Sequence, residues 1–209
     1  MTDRNWEEVM SPLIAHYKDR PHPLAYQNLY QLVVMVILSA QDSDRHINLI
    51  APELFRKYPD MAALALAGEE ELSAHIRTVR HFGNKARWLV SLARIVQDDQ
   101  HIPLTMEALI KLPGIGRKSA NVILREAGLP AEGVIVDLHV VRVAPRIGIA
   151  SGSDPKKIEK QIMEALPEQD WGGAGMAISF LGREICRPSQ PQHQHCIVRD
   201  HCLYFRTNP

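Results

Sequence analysis

Lys118 and Asp137 are the side chains of this sequence whose type, spacing and setting could carry covalent chemistry. Lys118 lies just inside a helical pattern that opens directly after Leu112-Pro-Gly-Ile-Gly-Arg117. Asp137 follows nineteen residues later, with Val134-Ile135-Val136 before it and Val140-Val141 just beyond. A neutral lysine amine is a nucleophile that forms Schiff bases. An aspartate in so apolar a stretch is a helix N-cap, a reactive carboxylate, or both. A third group of chemistry-bearing residues sits near the end of the chain, where all three cysteines, Cys186, Cys196 and Cys202, share one short segment with His193.

The elements that must hold Lys118 follow from apolar periodicity. Leu104, Ala108 and Leu112 before it, and Ala120, Ile123, Leu124 and Ala127 after it, predict two helices joined by a Pro-Gly-x-Gly turn too tight for ordinary side chains. The segment 105–127 therefore reads as a helix-hairpin-helix. Gly114 and Gly116 are expected at positive φ, leaving backbone N–H groups uncovered, and the second helix adds its N-terminal donors and dipole toward the same anion. A DNA phosphate is the natural occupant. A Gly-x-Gly between helices also suits a plain tight connection, and most lysines are solvated surface charges. Arg117 beside Lys118, with Asp137 downstream, favours the functional reading.

Leu-Pro-Gly-Ile-Gly-Arg-Lys-Ser-Ala-Asn (112–121) followed by Val-Asp-Leu-His-Val-Val-Arg-Val (136–143) resembles the endonuclease III branch of the helix-hairpin-helix DNA glycosylases. The resemblance runs along nearly the whole chain, through Leu38-Ser-Ala-Gln41 with Asp44, Ile76-Arg-Thr-Val79, Lys85-Ala86, and Gly182-Arg183 before Cys186. It implies an enzyme that extrudes a damaged nucleotide from duplex DNA and cuts the bond between base and sugar. Lys118 would attack the sugar C1′ to give a Schiff base, Asp137 would assist it and stabilise positive charge on the sugar, and β-elimination would then break the strand. A free lysine titrates near 10.4, so its amine must be desolvated or set among cations such as Arg117 to act near neutrality. Adenine-removing relatives carry a glutamate where this chain has Met35, and a mismatch-thymine relative has tyrosine in place of Lys118. The resemblance thus implies an oxidised pyrimidine as the target. The alternatives are another damaged or mismatched base, or a non-catalytic DNA-binding module.

Further roles come by the same resemblance. Gln41 matches a residue that fills the gap left by the extruded nucleotide, its plain alternative being a polar helix cap near Asp44. His81 falls where relatives carry a leucine wedge, with Arg80 replacing a glycine just before it, so the base opposite the lesion would be handled differently here. His139 matches a family histidine or is a buried structural residue. Gly114, Gly116 and Arg117 complete the expected DNA-binding set.

The family's cluster loop is spaced Cys-x6-Cys-x2-Cys-x5-Cys around a 4Fe-4S cluster. Here the register is kept over 186–202 with His193 in the second position. Three readings compete: His193 ligates the cluster together with Cys186, Cys196 and Cys202, the set holds zinc as Cys3His, or the metal is lost and the thiols are ordinary buried groups. Preserved spacing favours iron-sulfur, and the lack of a Cys-x2-Cys pair disfavours zinc. His195 and His201 are alternative ligands. The cluster would serve as scaffold for a loop whose Arg187 and polar neighbours suit a DNA backbone.

Bulk properties set bounds. With 24 basic and 24 acidic residues no global field draws the chain to nucleic acid, but Arg77, Arg80, Lys85, Arg87 and Arg94 form a run without acids that predicts a DNA-facing stripe. Cysteines at metal-ligand spacing suit a reducing interior. The start carries no signal-peptide pattern, and the longest apolar run, Leu32 to Leu38, is far short of the roughly 20 residues of a membrane span. A cytoplasmic monomer acting on double-stranded DNA with damaged bases or abasic sites, without a membrane, is the expectation.

Periodicity predicts an all-α chain with helices near 4–18, 27–42, 44–57, 69–77, 84–98, 105–112, 117–127, 138–147, 154–166 and 170–184. Asp154-Pro155 is a clean helix opening. The resemblance implies a six-helix barrel over 23–133 and a metal-cluster lobe from 1–22 and 134–209, with the active site in the cleft between them.

Overall fold

Side-chain caps cut this chain into helices. Asn5, Asn28, Ser43, Asp60, Thr105, Asp137 and Asp154 each accept a hydrogen bond from a backbone N–H in the first turn that follows, satisfying donors that a helix start leaves open. The computed structural model describes residues 4–208. In order, its α-helices are α1 (Trp6–Tyr17), α2 (Leu29–Ser39), α3 (Asp44–Lys57), α4 (Met61–Ala65), α5 (Glu69–His75), α6 (Phe82–Val96), α7 (Met106–Leu109), α8 (Arg117–Glu126), α9 (Leu138–Ile147), α10 (Pro155–Ala165), α11 (Glu168–Glu184) and α12 (Leu203–Thr207). No strand occurs among the described residues, so the valine-rich run before Asp137 is extended backbone outside any sheet. Sequence periodicity misses α4 and α12, whose five residues are too short to show a period.

The described residues divide into two compact units, one formed by Pro21–Leu129 and the other by those before Pro21 together with those from Pro130 onward. Residues 1–3 and 209, which the expected lobes include, lie outside the described residues. In the Pro21–Leu129 unit, α2 is the central element. Every residue from Leu32 to Leu38 is buried, which requires neighbours on all sides, and α3, α6 and α8 supply them. Helices α4 and α5 pack on α6, and the short α7 packs on α8.

Lys85 departs from the sequence reading. It is 1% exposed and lies in the core of this unit, so it is no part of a DNA-facing stripe. Its ammonium donates to the carbonyls of Leu38 at 2.7 Å and Ala40 at 2.6 Å, at the end of α2. A cation at a helix C-terminus satisfies open carbonyls and complements the helix dipole. Arg94 is exposed, and its guanidinium donates to the carbonyls of Ala65 and Ala67 at the end of α4. Arg77, Arg80 and Arg87 remain exposed.

In the other unit α11 is the spine, with α1, α9 and α10 packed along it and α12 against α9. Its glycines permit close approach. A Cβ at Gly175 would collide with the backbone of Ile135, and one at Gly182 would sit 3.0 Å from both His139 Cβ and Val143 Cγ2. These contacts press α11 onto the extended segment and helix that flank Asp137. Among the described residues no helix is long and apolar enough to cross a membrane.

Candidate functional site

The hairpin turn forms as its composition demands, with one correction. Gly114 has φ +80°, and a Cβ there would stand 3.2 Å from Trp88 Cβ and 3.3 Å from Ile37 Cγ2, so both conformation and space require glycine. Gly116, expected at positive φ, instead has φ −99° and ψ 174° as the N-cap of α8, with open space where a side chain would project. Its glycine is not demanded by the backbone; it leaves the approach to the helix start uncovered. Arg117 and Lys118 open α8, and no acid sits in that first turn. Carboxylates normally stabilise a helix N-terminus and cations oppose it, so two exposed cations there leave the start of α8 electropositive.

His22, unnoticed in the sequence, belongs to the same environment. Its Nδ1 accepts from the Leu24 N–H at 3.1 Å. Burial pushes the imidazole below its ordinary range; Glu126 and Asp44 pull the other way, while Lys118 and Arg125 add to the lowering. Tyr26 donates to Glu126 at 2.5 Å, and Arg125 pairs with the same carboxylate. Lys118 and the Arg125–Glu126 pair are thus among the charges that bear on this imidazole.

Gln41 and His81 come together. Gln41 follows the end of α2, His81 is the N-cap of α6, and both are left-handed, at φ 59° and 56°. This backbone costs a residue other than glycine about 1–2 kcal/mol. The His81 Nε2 and the Gln41 Oε1 are hydrogen-bonded at 3.2 Å, and both residues are exposed. Gln41 caps no helix, because Ser43 caps α3. Arg80 presents its side chain to solvent while its backbone N–H donates to Asp42 Oδ2 at 2.9 Å.

Asp137 is held through both oxygens. Its Oδ1 accepts the N–H groups of His139 at 2.8 Å and Val140 at 2.9 Å as the cap of α9. Its Oδ2 accepts the Ser179 hydroxyl at 2.6 Å and lies 3.6 Å from the Arg183 guanidinium. The carboxylate is 15% exposed, so it is fixed yet reachable. Ser179 gave no sequence signal; only packing of α11 on α9 brings it to Asp137. Nearby, His139, Arg142, Arg183, Arg187, Ser189 and Gln190 line an open groove that is strongly cationic.

Cys186, His193, Cys196 and Cys202 line one small cavity, walled by apolar Ile147, Leu181, Ile185 and Val198. His195 and His201 do not line it, and both are exposed. The His193 ring rests on Phe205, centroids 5.1 Å apart. Arg146 organises the loop: it donates to the carbonyls of Arg187 at 2.8 Å and Pro188 at 2.9 Å, and reaches Cys186 Sγ at 3.5 Å. Burial pushes the Cys196 thiol up to about 11, so metal binding there must displace a proton. No three His, Cys, Asp or Glu side chains among the described residues converge as they would on a single ion. In number and chemistry the donors around the cavity fit an iron-sulfur cluster.

Residues 34–168 match the HhH-GPD superfamily of base excision DNA repair proteins, and the chain belongs to it. Endonuclease III of Synechocystis sp. is 37% identical over 197 residues, covering 93% of this chain and 90% of its own. Endonuclease III of Bacillus subtilis is 35% identical, covering 86% and 83%. A solved structure of a trapped endonuclease III–DNA covalent intermediate superimposes with a TM-score of 0.86 at 30% identity, covering 96% of this chain and 95% of its own. A thermostable thymine-DNA glycosylase, at 20% identity and a TM-score of 0.77, shares the fold. Within the superfamily the chain is a member of the endonuclease III family, and so a DNA glycosylase and abasic-site lyase of base excision repair.

Proposed function

We propose that this protein excises oxidised pyrimidines from duplex DNA and cleaves the strand at the resulting abasic site, with Lys118 as nucleophile and Asp137 as the assisting carboxylate. The observation that carries the reading is the exposed Arg117-Lys118 pair at the acid-free start of α8, directly after the glycine turn. Backbone donors and the helix dipole hold a phosphate there, which brings a sugar to the lysine. The amine attacks C1′, the bond from C1′ to the base breaks, and the base leaves with the electron pair and takes up a proton. Ring opening gives an iminium between lysine and sugar. That iminium acidifies C2′–H; loss of this proton expels the 3′ phosphate. Lys118 is exposed, so bound DNA supplies the desolvation.

Gln41, Arg80 and His81 engage the distorted duplex, and the arginine-lined groove beside Arg142 and Arg183 takes backbone phosphates. The protein acts as a monomer in the cytoplasm, where DNA and reduced thiols coincide. Trapping with borohydride tests the chemistry: duplexes carrying thymine glycol or an abasic site are expected to yield covalent adducts, mapping to Lys118 by mass spectrometry. An adduct with the abasic duplex alone would overturn the oxidised-pyrimidine assignment, and no adduct with either would overturn the lyase.

Cys186, His193, Cys196 and Cys202 are proposed to hold a 4Fe-4S cluster. When bound, it cross-links a loop too short to build its own core, and no step of the reaction passes through it. Purified protein is expected to be brown and to contain iron and acid-labile sulfide. Both should fall in His193→Ala and return in His193→Cys. A colourless, zinc-containing preparation would refute the assignment.

A further inference from the structure

Gln41 and His81 lie on different loops, and each holds a left-handed backbone that its side chain does not favour. Something must determine both at once. The hydrogen bond between the two side chains is insufficient, because both are exposed and water competes for it. The determinant lies one residue beyond Gln41. Asp42, its side chain 9% exposed, divides its oxygens between the two loops. Oδ2 accepts the Arg80 N–H at 2.9 Å, immediately before His81. Oδ1 accepts the Ser43 N–H at 2.8 Å and bonds His46 Nδ1 at 2.8 Å.

The far side of the His46 ring closes the circuit. Its Nε2 lies 3.1 Å from Thr78 Oγ1, on the loop that leads to His81. Beneath the first loop, buried Lys85 fixes the carbonyls of Leu38 and Ala40. Burial alone would raise the Asp42 carboxyl, but the Arg80 N–H, the His46 ring and the Ser43 N–H outweigh it and hold the group below its ordinary range. An ionised carboxylate with donors from both loops is a stronger tie than any neutral pair.

We propose that Asp42 is a positioning residue for nucleotide extrusion, bolting the Gln41 loop to the His81 loop so that their hydrogen-bonded side chains form a polar plug before DNA arrives. This rests on the functional reading given above. The plug enters the space a flipped nucleotide vacates, and its preformed geometry saves the ordering that two free loops would undergo on binding. Asp42 touches neither Lys118 nor the sugar, so its loss acts on extrusion and leaves the later steps to other residues.

The test compares a paired lesion, which must be pulled from the stack, with an abasic site, which has no base to extrude. For Asp42→Ala, excision of thymine glycol is expected to fall about tenfold or more in kcat/KM, while abasic-site cleavage falls less than about threefold. A fluorescent 2-aminopurine placed beside the lesion should show slower unstacking with the variant. Asp42→Asn keeps an acceptor for the Arg80 N–H and should recover much of the loss; Thr78→Val, which cuts the circuit at its other end, should reproduce part of it. Equal losses on both substrates, or unstacking at the wild-type rate, would overturn the proposal while leaving the glycosylase reading intact. A wild-type protein that cleaves neither substrate would overturn both.

Discussion

Duplex DNA carrying thymine glycol or an abasic site is expected to survive uncut when incubated with Lys118→Gln. Removing a covalent nucleophile lowers turnover by about a thousandfold or more, because remaining groups have no bond-forming step left to assist. Binding should change far less. The phosphate cradle proposed for the start of α8 consists of backbone N–H groups and Arg117, and glutamine preserves the helix and its length. Gel-shift affinity for an uncleavable abasic analogue is therefore expected to stay within about threefold, with a slightly shallower salt dependence. Strand cleavage at the wild-type rate would remove Lys118 from the mechanism. Joint loss of binding and cleavage would instead make it a phosphate contact.

The parts of this arrangement that sequence reveals are the local ones. Proline and glycine punctuation with flanking periodicity locates α8, and the apolar setting of Asp137 marks it as the start of α9. Each signal lies within a few residues of the feature it predicts. What escaped depends on distant partners. Lys85 reads as a surface charge because its two acceptor carbonyls come from another helix more than forty residues away. Gly116 reads as a positive-φ residue because glycine allows that conformation, but allowing is not requiring. Asp42 and Ser179 look like ordinary polar residues until Arg80 is seen above one and Asp137 against the other. The register of Cys186, His193, Cys196 and Cys202 was legible as spacing, whereas the shared cavity and the Arg146 hub that orders their loop emerge only from packing.

Asp137 caps α9, and one substitution can separate that role from the catalytic one proposed for it. As a helix cap it contributes oxygen atoms, and as a reaction partner it contributes charge. Asparagine caps helices as well as aspartate does, so Asp137→Asn keeps acceptors for the His139 and Val140 N–H groups. The lost ion pair with Arg183 spans 3.6 Å and is partly exposed, and such pairs are worth about 0–1 kcal/mol. Thermal stability should therefore stay near wild type, whereas Asp137→Ala, which loses the cap, should be less stable by about 0.5–2 kcal/mol. Activity should divide differently. Positive charge builds on the sugar as the base departs, and losing one preorganised electrostatic partner lowers kcat by about 10²–10³. Base excision by Asp137→Asn should fall to that extent. Adduct formation at a ready-made abasic site should fall less, since no base leaves. Full excision activity in Asp137→Asn would reduce Asp137 to a cap. Equal losses in excision and abasic-site trapping would move its action from the departing base to the amine of Lys118.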